Sequence, residues 1–418
     1  MINFIINGKA VSSEEGRTIL EAAIENGVHI PTLCHLAGCT PDSSCRICLV
    51  EIKGSPKLMP ACSTKAAEGM EVLTHSEKLV ESRRITLDLI CRNHRMDCEY
   101  CSRYSDCELH ALLREHGMDD RVYANVHHEQ EKDFSSPAIV RDSSKCVLCR
   151  RCEKACEKQG MHAIGALNRA ADTKIGSVVP MPESGCIGCG QCLAACPTGA
   201  LSINDESKAL RVALNRKQPV VFALSPFIEN SGKLINILHS MGIAKVFDAS
   251  GFIAMAAEEV KSALAMGKKG ISPVCPSAAK LVHAEVLGRH PEAIFHEWCK
   301  KEYGDNIFTV WVSPCTALKA KHECSFTMTE IELYDHILRS CVSRYTMRQV
   351  WENAVEETFD PSVPSSDLCD ELAPAINGCK TLSVKGAADI KKAGKEFDFA
   401  DLLACPGGCA CGGGYIKK

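Results

Sequence analysis

One cysteine spacing occurs twice in this chain and leaves little freedom in what its middle can be. Cys146, Cys149, Cys152 and Cys156 form C-x2-C-x2-C-x3-C; Cys186, Cys189, Cys192 and Cys196, followed by Pro197, form it again. Thiolates so spaced suit a pair of 4Fe–4S clusters, the fourth cysteine of each run ligating the cluster of the other. One cluster is therefore read as held by Cys146, Cys149, Cys152 and Cys196. The second takes Cys186, Cys189, Cys192 and Cys156. The polar, glycine-containing stretch between the runs reads as the insert of such a unit, placed at residues 138–210.

These eight are part of a larger excess: the chain has 27 cysteines in 418 residues. A secreted disulfide scaffold would be short, whereas this chain is long, opens Met1-Ile2-Asn3-Phe4 without an export signal, and groups its cysteines at two- and three-residue spacings. Most are read as metal ligands. The length suggests about three domains. A net charge of −4 argues against a nucleic-acid partner. No apolar run reaches about 18 residues, so no membrane insertion is expected and the chain reads as cytoplasmic.

At the N-terminus, alternating residues 2–6 and 9–11 flank Asn7-Gly8, the strongest local hairpin signal. Thr18 then opens a helix through Ile19, Leu20, Ala23 and Ile24 that stops at Gly27. Next come Cys34, Cys45, Cys48 and Cys62, with Cys39 as the spare. Hairpin, helix and four thiols resemble the β-grasp, plant-type 2Fe–2S domain that heads iron-only hydrogenases and the large peripheral subunit of respiratory complex I, here residues 1–78. A helical run over 77–91 leads to His94, Cys98, Cys101 and Cys107. This set is similar to the 4Fe–4S site with one histidine ligand that follows in both families, here 79–118. The residues alone leave two alternatives: Cys91 as the ligand with His94 at the surface, or a zinc site. Residues 118–145, with His127 and His128, read as a linker or edge loop.

From Pro219 the character changes. Short apolar runs at 220–224, 244–247, 269–271, 308–312 and 399–404 alternate with helical patterns at 253–266, 277–287 and 329–338. Such alternation predicts a parallel or mixed sheet covered on both faces. Cys275, Cys315 and Cys405 each follow an apolar run, and ligands in open α/β sheets bind beyond the carboxyl ends of strands. Cys409 follows on the glycine-rich turn Pro406-Gly407-Gly408, which lets the backbone approach a bulky inorganic group. The whole reads as an α+β and α/β multidomain chain, with its last domain at 217–418.

Taken in order, these motifs resemble the FeFe-hydrogenase catalytic subunit over essentially the whole chain. The resemblance implies one 2Fe–2S cluster, three 4Fe–4S clusters and a C-terminal H-cluster, a 4Fe–4S cube bridged to a diiron unit carrying CO, cyanide and an azadithiolate. By position, Cys275, Cys315 and Cys405 would bind the cube, and Cys409 would bind it while bridging to the diiron unit. Three positions depart. Val274 stands where fast hydrogenases have a proton-donating cysteine, Ser313 where the family has methionine, and Leu318 where a lysine pairs with a cyanide. A buried cyanide without a cationic partner forgoes roughly 1.5–3 kcal/mol. Lys319 is one position off. Ser272-Pro273-x-Cys275-Pro276 and Ser313-Pro314-Cys315 look more like the divergent branch read as sensory.

Glu258 and Glu259, near where the family's proton path enters, read otherwise as solvated helix-face carboxylates. Cys299, Cys324, Cys341, Cys369 and Cys379 follow no cluster spacing and read as structural; Cys411 is a spare beside the last motif. The resemblance further implies a hetero-oligomer, with a flavin-containing NADH-oxidising subunit and a thioredoxin-like 2Fe–2S subunit, or ferredoxin, as electron partners. Three functions follow: H2 oxidation or proton reduction slowed by Val274, an H2-sensing redox protein, or an electron wire in which the last four thiolates hold a plain 4Fe–4S cube.

Overall fold

The computed structural model describes residues 1–101, 103, 106–123, 130–205, 207–228, 231–243, 245–282, 284–320, 323–340, 353–355, 381–385, 387–392, 399–403 and 405. Asn7 and Gly8 both adopt positive φ, 53° and 80°, and so close a tight hairpin between β1 (Ile2–Ile6) and β2 (Lys9–Ser13). Thr18 caps α1 (Ile19–Glu25) reciprocally with Glu21, and Gly27 ends it at φ 68°. β3 (Leu49–Ile52), β4 (Met59–Pro60) and β5 (Glu71–Leu73) complete a mixed sheet in the order β2-β1-β5-β3-β4.

Helix α2 (Glu77–Arg92) leads into the next unit, which α3 (Glu108–Glu115) closes. Arg83, buried in α2, joins the two units. Its guanidinium donates to the carbonyls of Ile47 at 2.9 Å and of Leu49 and Thr74 at 2.8 Å each. That fork fixes the loop carrying Cys45 and Cys48 against α2.

The middle unit contains β6 (Lys132–Asp133), β7 (Ile139–Asp142), α4 (Arg151–Lys158), β8 (Gly165–Leu167), β9 (Lys174–Gly176), α5 (Gln191–Ala195) and β10 (Leu201–Ile203). Strands β6 and β7 fall within the stretch expected as linker. Strand β7 pairs with β10 from Ile139 to Arg141, because its apolar Ile139-Val140 pair is buried there. Four residues are too few to show as a period. His127 and His128 lie outside the described residues.

After α6 (Lys208–Asn215) the chain builds β11 (Val220–Leu224), α7 (Ser231–Ser240), β12 (Lys245–Asp248), α8 (Ala249–Ala265), β13 (Gly270–Ile271) and α9 (Pro276–Leu281). It continues through α10 (Pro291–Tyr303), β14 (Phe308–Val312), β15 (Phe326–Met328), α11 (Glu330–Ser340), β16 (Thr381–Lys385), α12 (Ala387–Lys392) and β17 (Phe399–Leu403). One parallel or mixed sheet was expected; the described residues form two, both wholly parallel: β12-β11-β14-β15 and β13-β17-β16. All five residues of β11 are buried, as in a strand covered on both faces. Phe222 and Leu224 pack into one core cluster, Val221 and Ala223 into another with Phe252, Phe295 and Trp311.

The helix expected over 277–287 stops at Leu281. Beyond it the chain turns extended and hydrogen-bonds β13 instead: Ile271 N–H donates to Glu285 O at 2.8 Å, and Leu287 N–H to Ile271 O at 2.9 Å. Gly270 permits this approach, since a Cβ there would overlap the Glu285 carbonyl. Helix α10, absent from the sequence-based expectation, carries a start signal: His290 as cap, Pro291 in the first turn, and acidic Glu292. Among the described residues no helix is long and apolar enough to cross a membrane.

Arg83→Leu would strand three buried carbonyls. It should lower the stability of the N-terminal unit by about 2–4 kcal/mol and loosen iron retention by the Cys45–Cys48 loop; thermal melting followed by visible absorbance measures both. An unchanged melting curve would show that α2 does not hold the loop.

Candidate iron–sulfur sites and the C-terminal cavity

The cysteine runs of the middle unit share a backbone device. Leu148 and Arg150 take φ 52° and 59° on either side of Cys149; Gly188 and Gly190 take 75° and 69° on either side of Cys189. Left-handed residues at alternate positions turn successive N–H groups to one side, making a concavity suited to an anionic cluster. Glycine does this freely in the second run, while Leu148 and Arg150 bear strain in the first. Cys146, Cys149, Cys152 and Cys196 line one cavity of about 20 Å³. Cys156, Cys186, Cys189 and Cys192 lie within one another's electrostatic reach. Burial pushes the Cys149 thiol up to about 12 and that of Cys189 to about 11. A cationic metal core would offset that cost, which fits clusters at both places.

In the first unit the thiols pair. Cys45 hydrogen-bonds Cys34 and pulls it down to about 5; Cys48 does the same to Cys62, down to about 6. The two pairs also interact with each other, so all four sulfurs share one site.

His94 is buried, and its Nδ1 has no hydrogen-bond partner in the structure. It lines a cavity of about 10 Å³ with Cys98, Cys101 and Cys107. Burial, then the charge of Lys145, lowers it to about 4, so the ring is the neutral form that ligates metals. Cys91 instead sits in a hydrophobic cluster with Leu87 and Leu109, its thiol pushed up to about 12 by burial. Among the described residues no three histidine, cysteine or acidic side chains come close enough to share a single ion.

Strands β13, β14 and β17 point their carboxyl ends at a common cavity of about 50 Å³, lined among others by Val274, Cys275, Cys315, Leu318 and Cys405. Two sheets thus deliver three cysteines to one place. Cys409 and Cys411 lie outside the described residues, as do Cys341, Cys369 and Cys379. Val274, Ser313 and Leu318 are all on the wall, so the three departures face the cavity. Lys319 does not take Leu318's place. Its ammonium is fully buried, 2.7 Å from the Glu332 carboxylate and over the Phe326 ring.

Glu258 is an exposed carboxylate paired with Lys261, and Glu259 forks with Arg289 at the surface; neither lines the cavity. Cys299 and Cys324 are buried in the core around Phe295.

The cavity is stitched to the second cysteine run. Thr316, next to Cys315, donates its hydroxyl to Gly188 O at 2.6 Å, and Ser277 donates to Ile187 O at 2.8 Å. Ile187 and Cys275 share a hydrophobic cluster against which Cys189 packs. At the other end, Glu108 N–H donates to Pro197 O at 3.0 Å, and a Cβ on Gly199 would collide with Cys101 Sγ. Arg151 on α4 reaches Glu108 at 2.6 Å and Leu33 O at 3.4 Å, beside Cys34. The cysteine sites therefore form a packed series.

Sequence reasoning missed His290 and Glu292. His290 lines the cavity and is 5% exposed; its Nδ1 accepts the Glu292 N–H at 3.1 Å. Glu292 is 0% exposed. Burial pushes it up to about 7, against hydrogen bonds from Thr327 and Cys324 that lower it.

Three family models match parts of the chain. A 2Fe-2S iron-sulfur cluster binding domain covers residues 1–77, the NADH-ubiquinone oxidoreductase-G iron-sulfur binding region 83–121, and a 4Fe-4S dicluster domain 145–200. The NADP-reducing hydrogenase subunit HndD of Solidesulfovibrio fructosivorans is 26% identical over 99% of this chain and 88% of its own length. Iron hydrogenase 1 of Clostridium pasteurianum gives the same figures. The alpha subunit of the NADPH-Fe(3+) oxidoreductase of Geobacter sulfurreducens is 38% identical, over 48% of this chain and 24% of its own length. The hydrogenase alignments span 521 and 509 positions, so both relatives carry segments that this 418-residue chain lacks.

Two outcomes are expected. His94→Ala should remove one cluster's electron-paramagnetic signal, and Cys91→Ala should leave it; the reverse would restore Cys91 as ligand. Because Glu292 has its folded pKa raised above the unfolded value, the stability it contributes is complete below the ordinary glutamate range and is lost as pH rises through about 7. Glu292→Gln should therefore gain progressively on the natural chain as pH rises from about 4.5 to about 7, levelling off at on the order of 3 kcal/mol above that, in chemical denaturation.

Proposed function

We propose that this chain, a relative of the iron hydrogenases along its whole length, is an iron–sulfur oxidoreductase subunit that exchanges electrons between a C-terminal hydrogen-activating centre and an external partner. The observation carrying this reading is the meeting of Cys275, Cys315 and Cys405 on one cavity packed against the second ferredoxin run. Cys409 would complete the ligand set. The cavity is also roomier than those of the two four-iron sites above, about 50 Å³ against 20 and 10 Å³.

An H-cluster, when bound there, supplies the heterolysis of H2. The chain's own residues do the rest. Val274 and Leu318 present hydrocarbon and keep water from the centre. Thr316 and Ser277 hold the Cys186–Cys192 loop against it, giving electrons a direct protein contact towards the middle clusters. The Cys101–Gly199 seam and Arg151 carry the series on to the histidine-ligated and 2Fe–2S sites. At that end a flavin-containing NADH-oxidising subunit with a thioredoxin-like 2Fe–2S subunit, or ferredoxin, would take up or supply the electrons in a cytoplasmic hetero-oligomer. HndD is by name a subunit of an NADP-reducing hydrogenase, which supports such an assembly.

Slow turnover is expected, because loss of a positioned general acid at 274 typically costs about 10²–10⁴-fold. The second reading, an electron wire with a plain 4Fe–4S cube, rests on Leu318 and on the engagement of Lys319 with Glu332, which leave the wall without that lysine.

Infrared spectra of anaerobically matured protein should contain bands of bound CO and cyanide, and Val274→Cys should raise H2 uptake by about 10²-fold or more. Absence of those bands would contradict the hydrogen chemistry and leave the wire.

A further inference from the structure

Among the described residues of the cavity wall, one ionisable side chain is not a cysteine: His290. The wall's hydroxyls each have a backbone partner, and none of them titrates in the working pH range. Ser225 and Ser313 accept the N–H groups of Phe227 and Cys315, and Ser277 donates to Ile187 O. Because His290 Nδ1 accepts a backbone N–H at the head of α10, the neutral ring carries its proton on Nε2. Glu292 Oε2 lies 4.0 Å from Nδ1 and has no hydrogen-bond partner in the structure. Its Oε1 accepts the Cys324 N–H at 3.1 Å and the Thr327 hydroxyl. A buried carboxyl oxygen without a donor is disfavoured as carboxylate and tolerated as O–H. The titratable groups facing Glu292 are His290, Cys324 and Glu323, the last exposed to solvent.

We propose that His290, backed by Glu292, carries protons between the cavity and the surface at Glu323, replacing the donor that Val274 cannot be. The proposal rests on the hydrogen reading of the site. In the delivering direction the Nε2–H bond breaks towards the cavity and the Glu292 Oε2–H bond breaks as Nδ1–H forms. Nδ1 releases the Glu292 N–H to do so, Glu292 regains a proton from solvent beside Glu323, and reorientation of the ring brings its N–H back to the cavity side before the next proton passes. Run backwards, each H2 gives two protons and two electrons. The protons leave singly by these atoms, and the electrons leave through the clusters to the accepting partner. His290 meets the reacting centre; Glu292 is a positioning residue.

His290→Asn tests this without removing the helix cap, since asparagine also accepts from the Glu292 N–H. In full-length, anaerobically matured protein, a carboxylic-acid infrared band should titrate near pH 7, vanish in Glu292→Gln, and shift its midpoint in His290→Asn. His290→Asn should slow D2–water exchange by about 10²-fold or more while dithionite still reduces the N-terminal clusters. Glu292→Gln should abolish the inflection of exchange near pH 7, and surface Glu258→Gln should change neither readout. A band midpoint that His290→Asn leaves in place would overturn the relay, as would exchange within about twofold of the natural chain. Missing CO and cyanide bands would strike the hydrogen reading instead, and the pair then stands or falls on the carboxyl band.

Discussion

Sulfur buried away from water governs this molecule. A thiolate in a protein interior is expensive unless a cation neutralises it, and here burial first, with neighbouring negative groups adding to it, pushes thiols such as Cys98 and Cys149 up to about 12. The chain nevertheless gathers such groups in fours, on loops whose backbone is held left-handed at Ser43, Arg46, Leu148 and Arg150. Iron is the charge that makes these arrangements favourable, so cluster binding and folding of the first half are coupled. The paired thiols at Cys34–Cys45 and Cys48–Cys62 show the same pressure, one member of each pair being driven towards thiolate.

The second half meets the constraint with other architecture. Two small parallel sheets aim strand ends at one cavity, and an aliphatic and aromatic wall surrounds the sulfurs. On the cavity wall hydrocarbon stands at 274 and 318, and Lys319 is buried in an ion pair with Glu332. The Cys186–Cys192 loop is held on the cavity by two side-chain hydrogen bonds and a shared hydrophobic cluster. The three cysteines of the cavity are therefore packed directly against the second cysteine run.

Legibility in the sequence followed how local each signal is. Hairpin, capped helix and cysteine spacing are encoded within a few residues, so Asn7-Gly8, Thr18 and the two C-x2-C-x2-C-x3-C runs could be read directly. The short pairings of β7 and of residues 285–287 with β13 arise from tertiary contact and left no period to read. Splitting of the C-terminal strands into two sheets is likewise a matter of long-range pairing. His290-Pro291-Glu292 did carry a local helix-start signal. Its place on the cavity wall depends on α10 packing near the end of β14, which no local pattern encodes.

Mössbauer spectra of the Cys275→Ala, Cys315→Ala and Cys405→Ala variants test the central claim most directly. If the strand ends of two sheets share one iron centre, each variant loses the same spectral component and keeps those of the N-terminal clusters. A variant among the three that retained that component in full would separate its cysteine from the centre and contradict the account.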